Sequence, residues 1–191
     1  MQNILIDKDG YCILIDLGFA KLISGKTYTL CGTPFYMAPE IILSRGYDKS
    51  ADNWSFGALV YEMIVGYSPF YAANIDQSSL FKRIVEGNFR FPYQSRVSSD
   101  SKDLIYRLLV LNPSKRLGSL SGGDYDVRCH PWLSSLTRTK MVAKQIKPPW
   151  KPRITSPTDS SNFDCMRHLN KTHVTNLPAL RKSEQALFSR F

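Results

Sequence analysis

The chain has 191 residues, 43% of them hydrophobic and 21% charged, which suits one globular domain with an appendage rather than a disordered or fibrous protein. Its net charge of +9 sits in the last third: residues 1–136 hold 14 Lys/Arg against 13 Asp/Glu, and residues 137–191 hold 11 against 3. Those basic residues are scattered singly, so the composition points to a solvated extension and away from a nucleic-acid-binding module.

Four cysteines (Cys12, Cys31, Cys129, Cys165) lie far apart without CxxC spacing, which argues against a zinc site or a disulfide framework. A reducing, cytoplasmic location is the expectation. The N-terminus lacks a basic n-region, and the longest apolar stretch, Trp54 to Val65, contains Glu62 and is too short to span a bilayer. There are no internal repeats.

In chain order, two apolar runs, Asn3–Asp7 and Tyr11–Asp16, flank Lys8-Asp9-Gly10 and predict a hairpin. Residues 16–40 follow as a long irregular loop, broken by Gly18, Gly25, Gly32, Pro34 and Pro39. Its apolar residues (Leu17, Phe19, Leu22, Ile23, Leu30, Phe35, Tyr36, Met37) are expected to anchor it, so it reads as functional rather than disordered. A short helical turn is expected at Ile41-Ile42-Leu43. A helix from Ser50, with Ser50 as its cap and Asp52 in its first turn, is apolar nearly all round and therefore central; Gly66 stops it. Helices are also predicted over Ile75–Glu86, stopped by Gly87, and over Ser99–Leu111, stopped by Asn112-Pro113. From Lys147 the Pro, Ser and Thr content predicts extended chain, with an anchor at Leu187, Phe188 and Phe191.

Several motifs fall in a fixed order. They are Asn3, then Asp16-Leu17-Gly18, then Gly32-Thr33-Pro34 and Ala38-Pro39-Glu40, then Asp52-x-Trp54 on the central helix and Arg116 after the third helix. Over about 155 residues this resembles the second half of the protein-kinase signature set, including its Asp-x-Gly and Ala-Pro-Glu elements. Gly18-Phe19-Ala20-Lys21, the run Thr29 to Pro34, Arg116-Leu117-Gly118 and the segment Ser156 to Asp164 resemble the cyclic-nucleotide-dependent Ser/Thr kinases of the AGC group. The cGMP-dependent type is slightly closer at Ser50-Ala51-Asp52.

The resemblance implies an α+β, mostly α fold: a kinase C-terminal lobe over 1–146, with a short hairpin and a central buried helix, and an extended AGC-type tail over 147–191. It implies ATP-dependent phosphoryl transfer to protein Ser/Thr, with magnesium and ATP as cofactors. Asn3 and Asp16 take the positions of the magnesium ligands, and hard carboxylate and amide oxygens suit that ion. Alone, Asp16 reads as a turn residue capping Gly18. Thr33 takes the position of a supporting catalytic Thr; alone it is a turn residue before Pro34. Thr29 takes the activating phosphosite. Leu30, Pro34, Met37 and Glu62 take substrate positions, with Glu62 facing a basic substrate residue. The acids that basophilic relatives add are replaced by Gln2 and Phe35. Phe163 takes a nucleotide-contacting tail position. Glu40, Asp52 and Arg116 take structural ones, Glu40 and Arg116 as a buried ion pair. Leu17 replaces the usual Phe in an apolar stack.

Protein Ser/Thr substrates are the partners implied, along with a regulatory subunit or a fused cyclic-nucleotide-binding region. The base Asp five residues before Asn3, the Gly-rich loop and the strand Lys are not among the 191 residues, so the N-terminal lobe is expected to be missing and the chain alone inactive. The alternative is a non-catalytic module that holds a regulatory subunit or pseudosubstrate.

Overall fold

The computed structural model describes residues 3–93 and 97–163. The anchor expected at Leu187, Phe188 and Phe191, together with Gln2 and Cys165, lies outside them. The described chain is mostly helical with one two-stranded antiparallel hairpin. It forms two units. The first holds residues up to Leu5 and Cys12–Lys147; the second holds Ile6–Tyr11 and the chain from Pro148.

The hairpin pairs β1 (Ile4–Ile6) with β2 (Cys12–Leu14). Its turn is closed by Asp7, whose carboxylate accepts from the backbone N–H of Asp9 (2.9 Å) and Tyr11 (2.8 Å). Gly10 sits at φ +89°, and a Cβ there would run into Pro148 and the carbonyl of Trp150, within the second unit. Two independent constraints therefore require glycine at the tip.

In the first unit, α2 (Ser50–Val65) is the axis of the core. Trp54, Ala58, Val60 and Tyr61 are fully buried on it. Around it pack α1 (Pro39–Ile42), α3 (Gln77–Glu86) and α4 (Ser99–Leu108), which contribute Leu80, Ile84, Leu104, Ile105 and Leu108. Phe70 stacks on Trp54 with centroids 5.7 Å apart and planes 2° from parallel. Gly57 of α2 leaves room for the end of α4: a Cβ there would lie 2.8 Å from Cβ of Leu108 and 3.1 Å from Leu109. Short helices α5 (Asp124–Arg128) and α6 (Arg138–Val142) complete this unit.

Glycines stop α2 and α3 as expected. Gly66 (φ 95°) and Gly87 (φ 67°) are left-handed and donate back to the last turn. Helix starts differ from the sequence reading. Ser50 makes no capping bond within α2; it faces the Asp48 carboxylate, which accepts the Ser50 N–H at 2.8 Å. The Ser50 hydroxyl and N–H beside it hold the Asp48 carboxyl below its ordinary range. A side chain two residues before the first free N–H reaches it as well as the helix's own first residue does. Helix α3 starts two residues late because Asp76 caps it through the N–H of Ser79 (3.0 Å), and α4 is capped by Ser98. Helix α4 also ends three residues early. The Arg107 carbonyl accepts from Leu117 N–H (2.9 Å), and the Val110 carbonyl accepts from Nε of Arg116 (3.1 Å), so the turn at Pro113 takes the carbonyls that a further helical turn would have used.

Arg116 is fully buried and Glu40 is 6% exposed. Their contact is bidentate, Nη1 to Oε1 at 2.8 Å and Nη2 to Oε2 at 3.0 Å. Nη1 also donates to the Ser50 carbonyl at 2.6 Å, and the guanidinium lies 5.2 Å from the Trp54 ring. Removing either charge strands the other in the core. Glu40→Ala and Arg116→Ala are each expected to cost about 3–5 kcal/mol in urea unfolding, and a loss under about 1 kcal/mol would contradict this packing role.

Tyr61 lies inside a cluster of rings and donates to the Arg90 carbonyl at 2.7 Å. Burial, helped by Tyr67, pushes its phenol up to about 12. Unfolded tyrosine ionises near pH 10, so across pH 10–12 the unfolded chain loses a proton that the folded chain keeps, and stability falls as pH rises through that window. Urea midpoints measured from pH 9 to 12 should drop, and Tyr61→Phe should flatten the drop; equal slopes in both proteins would contradict the assignment.

Candidate active site

Residues 16–40 leave β2 through Asp16, which adopts φ 61°, uncommon for a non-glycine residue. Its Oδ1 accepts from Gly18 N–H at 3.1 Å, a local hydrogen bond that makes this backbone state accessible to Asp. Its Oδ2 lies 3.5 Å from Nδ2 of Asn3, because the Ile15 N–H bonds the Asn3 carbonyl and brings the two hairpin ends together. The structure thus places one carboxylate and one amide side by side on an exposed edge. Among the described residues no group of three or more acidic, His or Cys side chains converges to hold a metal.

The first half of the loop is not anchored as its composition suggests. Leu17 is 68% exposed, Phe19 73% and Leu22 101%, so Leu17 fills no apolar stack among the described residues. The physical reason is that no described element covers these side chains. One backbone bridge holds this half instead: Thr27 and Tyr47 exchange both N–H···O bonds at 2.9 Å. Thr27 is buried and accepts from Lys21 Nζ at 3.3 Å. The Tyr47 hydroxyl donates to the Thr29 carbonyl at 2.8 Å and lies 3.9 Å from Cys31 Sγ. The Thr29 side chain faces solvent. No sequence pattern marks Tyr47, which stands alone between Gly46 and Asp48.

The second half is packed. Pro34–Tyr36 form a 3-10 turn, with the Thr33 carbonyl accepting from Tyr36 N–H at 3.0 Å and the Thr33 side chain making no cap. Met37 is buried, Pro34 is half-buried and Leu30 is 57% exposed, so the three expected substrate residues span a step from core to surface. Ser55 of α2 donates to the Tyr36 carbonyl at 2.8 Å. The Tyr36 hydroxyl donates to Glu62 Oε2 at 2.5 Å, and burial together with that carboxylate pushes the phenol up to about 12. Tyr36 therefore orients Glu62, a partnership that no motif announced. The loop ends at Glu40, clamped to Arg116 as described.

Asp52 has no side-chain hydrogen bond among the described residues, and desolvation raises its carboxyl. Phe163, in the second unit, is 62% exposed. His130 is buried, with Nε2 3.0 Å from Asp103 and Nδ1 accepting from Trp132 N–H at 3.3 Å, so it serves the fold and not the loop.

Comparison with known proteins bears on this arrangement. The protein kinase domain model matches residues 1–133. The chain is 42% identical over 164 residues to a cAMP-dependent protein kinase type 3 of Saccharomyces cerevisiae, covering 85% of this chain and 40% of the relative. It is 42% identical over 163 residues to the cAMP-dependent protein kinase catalytic subunit of Dictyostelium discoideum, covering 85% and 24%. It is 41% identical over 165 residues to cGMP-dependent protein kinase 2 of mouse, covering 85% and 21%. The chain thus spans less than half the length of these curated relatives. No described helix is long and apolar enough to cross a membrane. With the kinase model covering most of its length and an ordered loop running from Asp16 to the buried Glu40–Arg116 pair, this chain belongs to the protein kinase family, in the AGC group of Ser/Thr kinases.

Proposed function

We propose that the chain supplies the substrate-side half of an ATP-dependent kinase that phosphorylates protein Ser/Thr, of the cyclic-nucleotide-dependent type. Residues 1–146 act as the C-terminal lobe and 147–191 as the tail. The observation that carries the reading is the loop from Asp16 to Glu40, loosely held at its start and clamped at its end.

The donor set fits magnesium. That ion takes one or two protein oxygens and completes its shell with water and phosphate, which matches a lone Asp–Asn pair better than a closed cage would. Asp16 supplies the carboxylate and Asn3 the amide oxygen, after a flip of the amide that now presents nitrogen to Asp16. Asp16 and Asn3 would hold the ion, and the chemistry it would supply there is neutralisation of phosphate charge. The rest falls to the chain's own groups. Thr29, exposed and tied through its carbonyl to Tyr47, takes the activating phosphate, whose new charge orders a half-loop that one bridge now holds. Thr33 supports the catalytic centre from the turn beside it. Leu30, Pro34 and Met37 receive the residue following the target hydroxyl. Glu62, oriented by Tyr36, pairs with a basic substrate residue. Phe163 is the tail group that reaches the nucleotide.

The catalytic Asp, the Gly-rich loop and the strand Lys are not among the 191 residues. Phosphoryl transfer rests on positioning and charge stabilisation, so these groups must be joined to the chain before it works. The 191-residue chain is expected to phosphorylate an Arg-containing Ser peptide no faster than its Asp16→Ala variant, and a rate clearly above that control would contradict the dependence. Fused to the N-terminal lobe of the yeast relative, the chain should transfer phosphate, with Asp16→Ala lowering kcat by about a hundredfold or more. A folded but inactive fusion that still retains an Arg-containing pseudosubstrate would favour a non-catalytic module holding a regulatory subunit or pseudosubstrate.

In the active fusion, Glu62→Gln should raise KM for the Arg-containing peptide by about tenfold with kcat unchanged, the signature of lost binding common to ground and transition states. An unchanged KM would remove Glu62 from the substrate site.

A further inference from the structure

The chain's net charge is concentrated in one stretch. Residues 1–126 hold 13 Lys/Arg and 13 Asp/Glu, and residues 159–191 hold 5 and 3, so seven of the nine net charges fall in residues 127–158, which carry seven Lys/Arg and no acid. In the first unit this stretch leaves the core after Trp132 and Leu133, which pack against it, and then forms α6. Helix α6 buries nothing. Every residue from Ser134 to Gln145 is exposed, including Leu136 at 45%, Met141 at 36% and Val142 at 78%.

A helix this short does not form on propensity, and its apolar side chains gain by leaving water. Backbone bonds hold it instead. The Leu136 N–H donates to the Leu133 carbonyl at 2.9 Å, and the Gln145 N–H closes the far end on the Lys140 carbonyl at 2.8 Å. The element is tethered to the core while its side chains face outward. Arg138 stands one turn before Met141 and Val142, so a cation and two apolar side chains share one side of the helix. Lys140 within the helix and Lys147 beyond it add charge. Among the described residues, Arg138, Lys140 and Lys147 pair with no acid.

We propose that residues 136–147 dock on an anionic lipid surface. The Arg and Lys side chains meet headgroup phosphates and carboxylates, while Leu136, Met141 and Val142 enter the acyl boundary. Stable attachment takes both signals, and this face carries both. Charge argues against occupants from the chain itself: a second copy presents the same cations, and residues 164–191 hold five Lys/Arg against two acids. Residues 133–149 contain no aromatic ring on which a base could stack, which separates the face from a single-strand-binding one. None of the residues given roles in the proposed reaction is used, so the two readings stand or fall separately.

The test is co-sedimentation of the full chain with phosphatidylcholine vesicles, with and without phosphatidylserine. The chain should partition onto the phosphatidylserine vesicles alone, and raising salt should release it. Arg138→Gln, Lys140→Gln and Lys147→Gln combined should weaken partition by about a hundredfold, or about fivefold for each charge. Val142→Ser should weaken it by at least about fourfold with every charge kept. All four side chains are exposed, so the variants should fold, and unchanged thermal melting checks this. Duplex DNA and polyglutamate serve as lipid-free polyanions. Either one binding as tightly as the phosphatidylserine vesicles would move the face to a nucleic acid or an acidic protein and overturn the lipid assignment. Equal partition onto both vesicles, no partition onto either, or full binding by the triple variant or by Val142→Ser would overturn it too.

Discussion

The carboxylate of Glu40 and the guanidinium of Arg116 meet in a core that excludes water, and the rest of the first unit is arranged to make that tolerable. A buried ion pair is favourable only when its geometry is good and its remaining donors are satisfied. Here the contact is bidentate, a third bond goes to the Ser50 carbonyl, a fourth to Val110, and the Trp54 ring lies alongside. Each partner comes from a different stretch: the end of the loop, the start of α2, and the chain beyond α4. One side chain thus ties together three segments that no local propensity would hold in register.

That clamp divides the loop into two mechanical halves. From Thr33 onward the chain is pinned by the 3-10 turn, by Met37, by Ser55 and by Glu40. From Leu17 to Leu30 it has large exposed apolar side chains, one two-bond backbone bridge to Tyr47, and side-chain bonds from Tyr47 to the Thr29 carbonyl and from Lys21 to Thr27. Low packing density and few backbone hydrogen bonds mean low local opening free energy. A segment with one fixed end and one loose end is the kind that a single added charge can order, which is why the proposed phosphosite at Thr29 fits where it stands.

Much of this was legible in the sequence, for identifiable reasons. Gly66 and Gly87 mark helix ends because only a residue without Cβ enters the left-handed state cheaply, and Asp9-Gly10 marks a hairpin for the same reason. The all-round apolar pattern of α2 reports its central position directly. The start of α4 at Ser99 was legible, but the starts of α2 and α3 were less so, because Asp48 and Asp76 compete with neighbours of similar capping ability and only the tertiary path decides among them. Met37, Phe35 and Tyr36 anchor the loop's second half as expected, but Leu17, Phe19 and Leu22 misled for a plain reason: hydrophobicity says that a side chain gains by burial, not that a surface is available to bury it.

The candidate site was legible through motif order rather than pattern. Glu40 and Arg116 are separated by 76 positions, and no periodicity links them; only the resemblance did. The Tyr36–Glu62 bond and the Thr27–Tyr47 bridge gave no signal at all, since each depends on backbone paths between distant segments. Such contacts have sequence signatures only as residues with no local purpose.

Amide hydrogen exchange on the full chain, with and without Arg116→Ala, tests the two-halves account most directly. It predicts slow exchange in α2, intermediate protection at 35–42 and fast exchange over 17–32, with the substitution releasing 35–42 to the fast class. Protection over 17–32 equal to that of α2, or unchanged exchange at 35–42 after Arg116 is replaced in a folded chain, would contradict it.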